Sequence, residues 1–595
     1  MPPLVARQWQ VLRGAPAAIG TLGRTQRLSG IPCASAWRSY AQQSTPDEKT
    51  LGHIVPLNSA ILIPASIPNA QPAELIHFIR PVIRKRISKE TFCVFLVTPA
   101  FAPWLLNDEV FLRKALLQAY SELWKGPSAN NRYPDIHALC AVVDKLPVGR
   151  AFKFETTLGD EISRRTTEPP VAETGLEGIA YVTLPATASV SSTAPSSSEK
   201  GAIDFVLNEH TAGEQIISDS LRLPLANTIF QTGTPTTMTL TSWKSRGTTE
   251  RLKLLSKTNV SHHGIRIAGR NQYVDQIIPT LSIPLVPLTV PRRVEGCMGN
   301  IIRRIVNSDG ESVTASSELE GVVPRFFKSR GEPAQATSAW ALVIPGSMAA
   351  SMSARTTRLL AKVLDKSEKG VDKRDELWER LWRSDPPCWN MLVSKALAEG
   401  ARLHRVLSGG GGWGKKAGLL SLDPVPASDA LDQLNAHDLP SILSDPEDFA
   451  STLTPVIHDG DFIQFFTLPN SKIDVEANYQ LDSLEKLTVL PKQNSWGWEF
   501  GTIPSTADSM PGGSWQHTTS TSRKVSVFEN SFGALAEGGL TLTRRFPGKE
   551  GGSSPSVGTT MVDVPFSRFW AVEVADKANS IEHVANSYPE KDKET

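Results

Sequence analysis

The sequence predicts a mixed α/β or α+β protein, with mixed sheets under covering helices, two strand-bearing halves and a helical block inserted between them. Three observations lead there. Short apolar runs rich in β-branched and aromatic residues recur along the chain, as in Thr91-Phe92-Cys93-Val94-Phe95-Leu96-Val97, and such runs read as buried strands. Segments with apolar residues at helical spacing separate them early in the chain. The bulk composition, 595 residues with 40% hydrophobic residues and 14 tryptophans, is that of packed cores in several domains.

The N-terminus reads as an address. Residues 1–46 carry Arg7, Arg13, Arg24, Arg27 and Arg38 and no acid before Asp47. A cationic amphipathic segment of this kind is the pattern of a mitochondrial presequence. Arg38-Ser39-Tyr40-Ala41 resembles a matrix-peptidase site, which places the presequence at residues 1–40 and the mature protein in the matrix. No run is apolar for long enough to cross a bilayer as a helix. Net charge is +1, from Lys+Arg 62 against Asp+Glu 61. That balance argues against a surface coated in basic residues for nucleic acid, although a local patch stays open.

Residues 52–345 form the first expected domain. Pro56 to Ile63 and Thr91 to Val97 are its first strands, Ala73 to Lys85 and Glu109 to Trp124 its helices, the second capped by Asn107. Strands follow at Ile136 to Val143 and Gly178 to Leu184. The Ser, Thr, Ala and Pro stretch over 185–200 is expected to be a disordered loop, since it has too little apolar area to offset ordering entropy. Strands between Gly and Pro turns then run from Asp204 to Ile305. Residues 346–408 are expected to be the helical block, with Trp378 and Trp382 on one face. A Gly-rich loop at 409–418, a strand-rich half at 419–575 and a charged tail at 576–595 complete the chain.

Three stretches carry a family resemblance. They are Pro284-Leu285-Val286-Pro287-Leu288-Thr289-Val290-Pro291-Arg292-Arg293-Val294 with Gly299-Asn300-Ile301-Ile302-Arg303-Arg304-Ile305 and Ala315 to Glu320, then Phe230-Gln231-Thr232-Gly233-Thr234-Pro235, and Asp459-Gly460-Asp461-Phe462-Ile463-Gln464-Phe465. Together they resemble FIST-domain proteins. The resemblance implies two FIST-like halves, at 52–345 and 419–575, and a sensory role: binding a small metabolite, with amino acids among the ligands, or a protein partner, rather than catalysis. Within such a pocket Asn300 would present an amide. An inward member of the Arg303 and Arg304 pair would clamp a carboxylate, the neighbours facing opposite sides of a strand.

The segment Leu407 to Asp423 offers a different chemistry. From Gly409 it satisfies Gly-x4-Gly-Lys, the spacing that wraps a phosphate in backbone N–H groups. Lys416 stands where a P-loop needs Ser or Thr for magnesium, and an expected helix precedes the loop where a strand is required. The alternative is RNA: Gly411, Gly412, Trp413, Gly414, Lys415 and Lys416, with Arg402 and Arg405 upstream beside His404, would offer cations around a stacking face. A plain connector is the bland reading.

Other constellations are thin. There is no HExxH, GxSxG or strand-borne GxGxxG motif. His262-His263 on a strand would face opposite sides and so cannot share a metal. Cys297 reads as a small core residue or an accessible thiol. No catalytic residue, metal ligand or cofactor is expected, and an RNA-associated factor of mitochondrial gene expression is the alternative function.

Overall fold

Residues with both faces buried define the centre of the molecule. In β2 (Glu90–Val97), Phe92, Val94 and Leu96 pack to one side and Cys93, Phe95 and Val97 to the other, each essentially inaccessible. The period of two makes this one strand the shared wall of two cores. A computed structural model describes residues 58–87, 89–124, 134–147, 175–190, 201–212, 215–245, 252–267, 280–333, 335, 337–362, 374–383, 390–409, 418–424, 456–468, 495–505, 524–546 and 556–574. All of them belong to one compact unit. The presequence, most of the Gly-rich loop, Trp389 and the charged tail lie outside the described residues.

Around β2 runs a seven-stranded mixed sheet in the order β21 (Val525–Glu529), β1 (Asn58–Pro64), β4 (Ile179–Pro185), β2, β3 (Asp135–Val142), β8 (Met238–Ser245), β9 (Leu252–Asn259). Only β2 and β3 are parallel, and the crossover between them carries α2 (Leu112–Ala119). That crossover is the βαβ element in an otherwise antiparallel layer. Helices α1 (Pro72–Ile76) and α2 cover one face, where Phe95 meets Phe111 edge to face at 5.5 Å between ring centres. Both helices are shorter than their apolar patterns predict. Pro81 stops the first, and the Asn107 amide oxygen caps Glu109 N–H at 3.0 Å without the helix starting until Leu112.

The other face packs in one continuous core with two further sheets. The six-stranded sheet runs β24 (Ser556–Val562), β23 (Leu540–Phe546), β7 (Gln215–Pro224), β6 (Ala202–Ala212), β10 (His262–Arg266), β5 (Ser189–Val190). The four-stranded sheet runs β11 (Thr280–Ser282), β25 (Arg568–Val574), β20 (Ser495–Thr502), β22 (Ser531–Ala536). Beyond the expectation for 185–200, residues 186–188 form a 3-10 turn and β5 pairs with β10. Residues 191–200 lie outside the described set.

A third assembly closes on itself. Strands β13 (Arg292–Met298), β14 (Ile301–Val306), β18 (Leu420–Leu422), β17 (Arg402–Gly409), β16 (Ala339–Ile344) and β19 (Phe462–Thr467) pair in that order, and β19 pairs back onto β13. Every pairing is antiparallel, so the ring is a six-stranded barrel that has no free edge along its ladder. Short strands β12 (Val286–Pro287) and β15 (Ser312–Thr314) extend it. Helices α4 (Ala315–Ser329), α5 (Ala349–Lys362), α6 (Arg374–Arg383) and α7 (Asn390–Ala398) interrupt the strand sequence, while α3 (Ile229–Thr232) belongs to the first sheet's rim. Trp378 and Trp382 do share a face of α6, with ring centres 5.9 Å apart, and the Trp382 indole N–H donates to Pro287 O at 3.0 Å.

Two expectations change here. The helical block over 346–408 ends at Ala398, because residues 402–409 form β17. Gly400, at φ 108°, turns the chain between them, a backbone state open to glycine. The expected halves also share their sheets. From the stretch 419–575, β18 and β19 complete the barrel with strands of 292–344, while β21 and β23 extend the sheets of 58–245.

Candidate functional site

One rim of the barrel gathers the polar side chains. Met298 and Ile301 pair across a two-residue turn, Gly299-Asn300, in which Gly299 takes φ 61°. A glycine at the first central position fits the type II′ hairpin, whose twist matches that of the strands. The strap Val456-Ile457-His458-Asp459-Gly460-Asp461 then crosses this rim on its way into β19. Val456 N–H donates to Gly299 O at 3.2 Å, Gly460 N–H to Val294 O at 3.0 Å, and Val294 N–H to Asp461 O at 2.8 Å.

The strap brings together residues that the sequence assigned to two different sites. The Asn300 amide donates to Leu422 O at 2.7 Å, and Arg402 Nη2 donates to Val456 O at 2.9 Å. Asn300 is thereby a clasp between the hairpin and β18, while Arg402 holds the strap beside Asp461. Burial lowers the proton affinity of the Arg402 guanidinium, and Asp461 opposes that shift. Arg303 is not the inward clamp that was expected. It and Arg304 both lie exposed, since β-bulges at Val294/Gly296 and Gly296/Cys297 break the alternation where these residues pair. Arg304 instead binds Ser312, through its hydroxyl at 2.7 Å and its carbonyl at 2.8 Å.

Cys297 sits on the same rim. Its thiol lies 3.2 Å from Asp459 Oδ1 and 3.3 Å from Ile457 O, both acceptors, and Asp459 Oδ1 also receives Cys297 N–H at 3.1 Å. Burial and the neighbouring carboxylates Asp459 and Asp461 push the thiol up to about 12. A thiol that donates to a carboxylate is no nucleophile at neutral pH. His458 remains largely exposed with Nδ1 3.5 Å from Asp461 Oδ2.

His404 is the buried member of the group. It is 2% exposed, its Nδ1–H donates to Asp423 O at 2.9 Å, and burial lowers its pKa to about 4. The ring is therefore neutral, with its proton on Nδ1 and a lone pair on Nε2, and that Nε2 has no hydrogen-bond partner. An orphaned buried acceptor costs roughly 1–3 kcal/mol. Arg402 and His404 stand two apart on β17, opposite Val343 and Ala341 of β16, which stand opposite Ile463 and Phe465 of β19. These six residues thus share one face of the ring.

The basic arm of the RNA reading does not assemble. Arg405 falls on the other face of β17 from Arg402, opposite Trp340, and its Nη2 donates to Ser338 Oγ at 3.2 Å. The Gly-rich loop follows a strand rather than a helix and joins two antiparallel partners, Gly409 pairing with Leu420. At the loop's far end Gly418 O accepts Ser316 N–H at 3.2 Å, in the first turn of α4. Gly411, Gly412, Trp413, Gly414, Lys415 and Lys416 lie outside the described residues.

Elsewhere, polar side chains in the core serve packing. Ser189 Oγ lies 2.9 Å from His263 Nε2, but burial holds this imidazole down at about 4, so it resists the proton a general base must accept. Arg568 and Glu499 form a buried pair at 3.1 Å, and Arg568 Nη1 also donates to Thr502 O at 2.8 Å. Beside Arg568 an apolar cavity of about 10 Å³, lined by Leu221, Leu281, Leu542 and Phe569, has room for one water molecule. Among the described residues no three His, Cys, Asp or Glu side chains converge as metal ligands, and no helix is long and apolar enough to cross a membrane.

Sequence reasoning named His404 only as a neighbour of the loop and did not join Arg402 to Asp461. The local signal is short, since only Arg402-Leu403-His404 alternates polar with apolar side chains before Arg405 and the pair Val406-Leu407 break the period. Comparison with known proteins adds no name to this rim: no protein-family model, no curated protein and no solved structure matches the chain.

Proposed function

We propose that this chain is a non-enzymatic small-ligand-binding protein of the mitochondrial matrix, a sensor of the FIST type, and that it binds at the barrel rim spanned by residues 456–461. One observation carries the reading. Arg402 holds the strap through Val456 O and faces the charge of Asp461, His404 with its orphaned Nε2 stands two residues along the same strand, and the Cys297 thiol beside Asp459 is held protonated. Such a set offers charge and hydrogen bonds to a bound molecule and no activated nucleophile with which to attack it. Arg402, rather than Arg303, would provide the positive charge.

Native mass spectrometry of the protein purified gently from mitochondria, with half the sample treated with nuclease, tests the binding role. A small adduct that survives nuclease and disappears in Arg402→Gln supports it. Adduct mass lost to nuclease, or RNA that co-purifies, would replace it with an RNA-associated role. The location is tested separately, by import of the full chain into isolated mitochondria with and without a membrane potential. Processing that does not depend on the potential would rule out the matrix route.

A further inference from the structure

We infer that a basic loop beside the first sheet docks the protein on the surface of an anionic lipid bilayer, with Arg84, Lys85 and Lys89 against the headgroups and Ile83 entering the boundary below them. From Leu75 to Lys89 the chain carries Arg80, Arg84, Lys85, Arg86 and Lys89 and no acid. The base of the loop is fixed. Asn58 Nδ2 donates to Arg80 O at 3.1 Å and to Pro81 O at 2.9 Å, Arg80 N–H to Tyr181 Oη at 2.9 Å, and Val82 N–H to Ala119 O at 2.8 Å. Ile79 and Val82 are buried beneath it. Directly beyond this anchor Ile83 turns outward at 59% exposure, and a single 3-10 turn, Arg84–Arg86, follows.

Charge and shape together select the partner. The chain as a whole is balanced at +1, so attraction to an anionic surface has to come from a local surplus. Here the surplus is positive. Glu529 is opposed by Arg80 and Glu74 by Lys524, while against the exposed Arg84, Lys85 and Lys89 stands Glu90, at the start of β2. Each Lys or Arg near a negative lipid surface strengthens binding about 5-fold. Lasting attachment takes a second, apolar signal, and Ile83 supplies it on a rigid base that needs no ordering on docking. Single-stranded RNA would call for flat stacking faces among the cations. Aliphatic Ile83 offers none at the tip, and the adjacent aromatic Phe78 packs edge to face with His77, ring centres 5.5 Å apart.

Co-sedimentation of the protein purified from mitochondria with vesicles of phosphatidylcholine, alone or mixed with phosphatidylglycerol, tests this. Binding is expected with the mixed vesicles only and should weaken as salt is raised. The double variant Lys85→Gln, Lys89→Gln is expected to weaken it about 25-fold and Ile83→Ser about 5-fold. Urea midpoints should not move, because all three side chains are exposed. Ile83→Leu, which keeps the apolar area, should bind as the parent does. Equal binding to both kinds of vesicle, or binding that the lysine variant leaves intact, would place attachment elsewhere and overturn the inference. Loss with the lysine variant but none with Ile83→Ser would reduce the loop to a surface charge and overturn it equally. If single-stranded RNA binds through these lysines while the mixed vesicles do not, the partner is RNA and the bilayer assignment fails. None of these outcomes touches the small-ligand reading, which the adduct mass decides.

Discussion

The seven-stranded sheet and the barrel are built from the same residue types and answer different questions. Along β2 seven consecutive side chains, Thr91 to Val97, are buried, and its helical cover meets it through rings such as Phe95 and Phe111. The barrel buries polar groups on its strands instead: His404, Gln464 and Thr467 are almost inaccessible. The Gln464 amide donates to Thr289 O at 2.8 Å and to Thr356 Oγ1 at 3.2 Å, while its buried Oε1 has no hydrogen-bond partner. His404 is matched on one side only. Both regions leave buried polar atoms unmet, among them Ser59 Oγ and Trp124 Nε1 about the sheet and His404 Nε2 and Gln464 Oε1 in the barrel, and they differ in that the barrel also holds the half-buried charge of Arg402 beside Asp461.

The largest expected effect breaks the sheet. Phe95→Ala removes a fully buried ring between Phe111 and Tyr181, a change that costs about 3–5 kcal/mol where the site cannot collapse. Urea denaturation reads the loss, and ligand affinity of the folded fraction should stay unchanged. A variant that loses affinity in step with stability would show that the two regions are not separable in this way.

How far the sequence reveals each region follows the same division. The sheet was readable because its strands are continuous apolar runs, and Thr91 to Val97 fell within one residue of β2. The barrel was not. Residues 402–409 follow a real helix closely and keep a period of two only over Arg402-Leu403-His404, so no local pattern marks the change to a strand after Gly400. Closure of the ring depends on β16 to β19 pairings between residues more than a hundred positions apart, which no local pattern encodes. Asn300 and Arg402 are both legible as candidates, yet that Val456 links Arg402 to Gly299, the neighbour of Asn300, is a tertiary fact.

The acid response comes next in size. His404 and His263 both titrate near 4 in the folded chain against an ordinary value near 6.5. A lowered folded value means that the unfolded chain binds more protons between those limits. The stabilisation is therefore complete above pH 6.5 and is lost as pH falls towards 4, by at most roughly 3 kcal/mol for each group. His404→Gln should flatten the stability curve over this window when denaturation midpoints are compared at pH 7.5 and 5. His263→Gln should do the same in the six-stranded sheet. Equal flattening by both variants would show that desolvation of the imidazole sets the effect in either region, and flattening by only one would sharpen the contrast between them.

A smaller effect of opposite sign is expected at Asp144, which follows β3. Its Oδ2 accepts Glu537 N–H at 2.8 Å, tying the first sheet to the turn before β23, and burial raises its pKa to about 6. The favourable protonated form is fully present below 3.8, and its contribution disappears as pH rises through 6. Asp144→Asn keeps an acceptor for Glu537 N–H without the buried charge. It should gain about 1–2 kcal/mol at pH 8, after allowance for the remaining exposure, and nothing at pH 3.5. A variant less stable than the parent at pH 8 would mean that the charge itself holds the turn.

The smallest effect belongs to Phe230, on α3 at the rim of the first sheet, where the side chain is 96% exposed. The loop around it is fixed without the ring. Thr228 Oγ1 donates to Thr234 O at 2.9 Å, Thr232 Oγ1 to Thr228 O at 3.1 Å, and Gly233 closes the turn at φ 79°. A ring that touches so little protein gives up almost no burial when removed, so Phe230→Ser should change stability by less than about 0.5 kcal/mol. It should also leave the barrel rim's affinity unchanged. A loss of more than about 1 kcal/mol would show that the ring packs in solution, and a change in affinity would join this loop to the barrel in one binding unit. Either result would dissolve the division between a scaffold sheet and a binding barrel, which makes this mild substitution the most sensitive check on it.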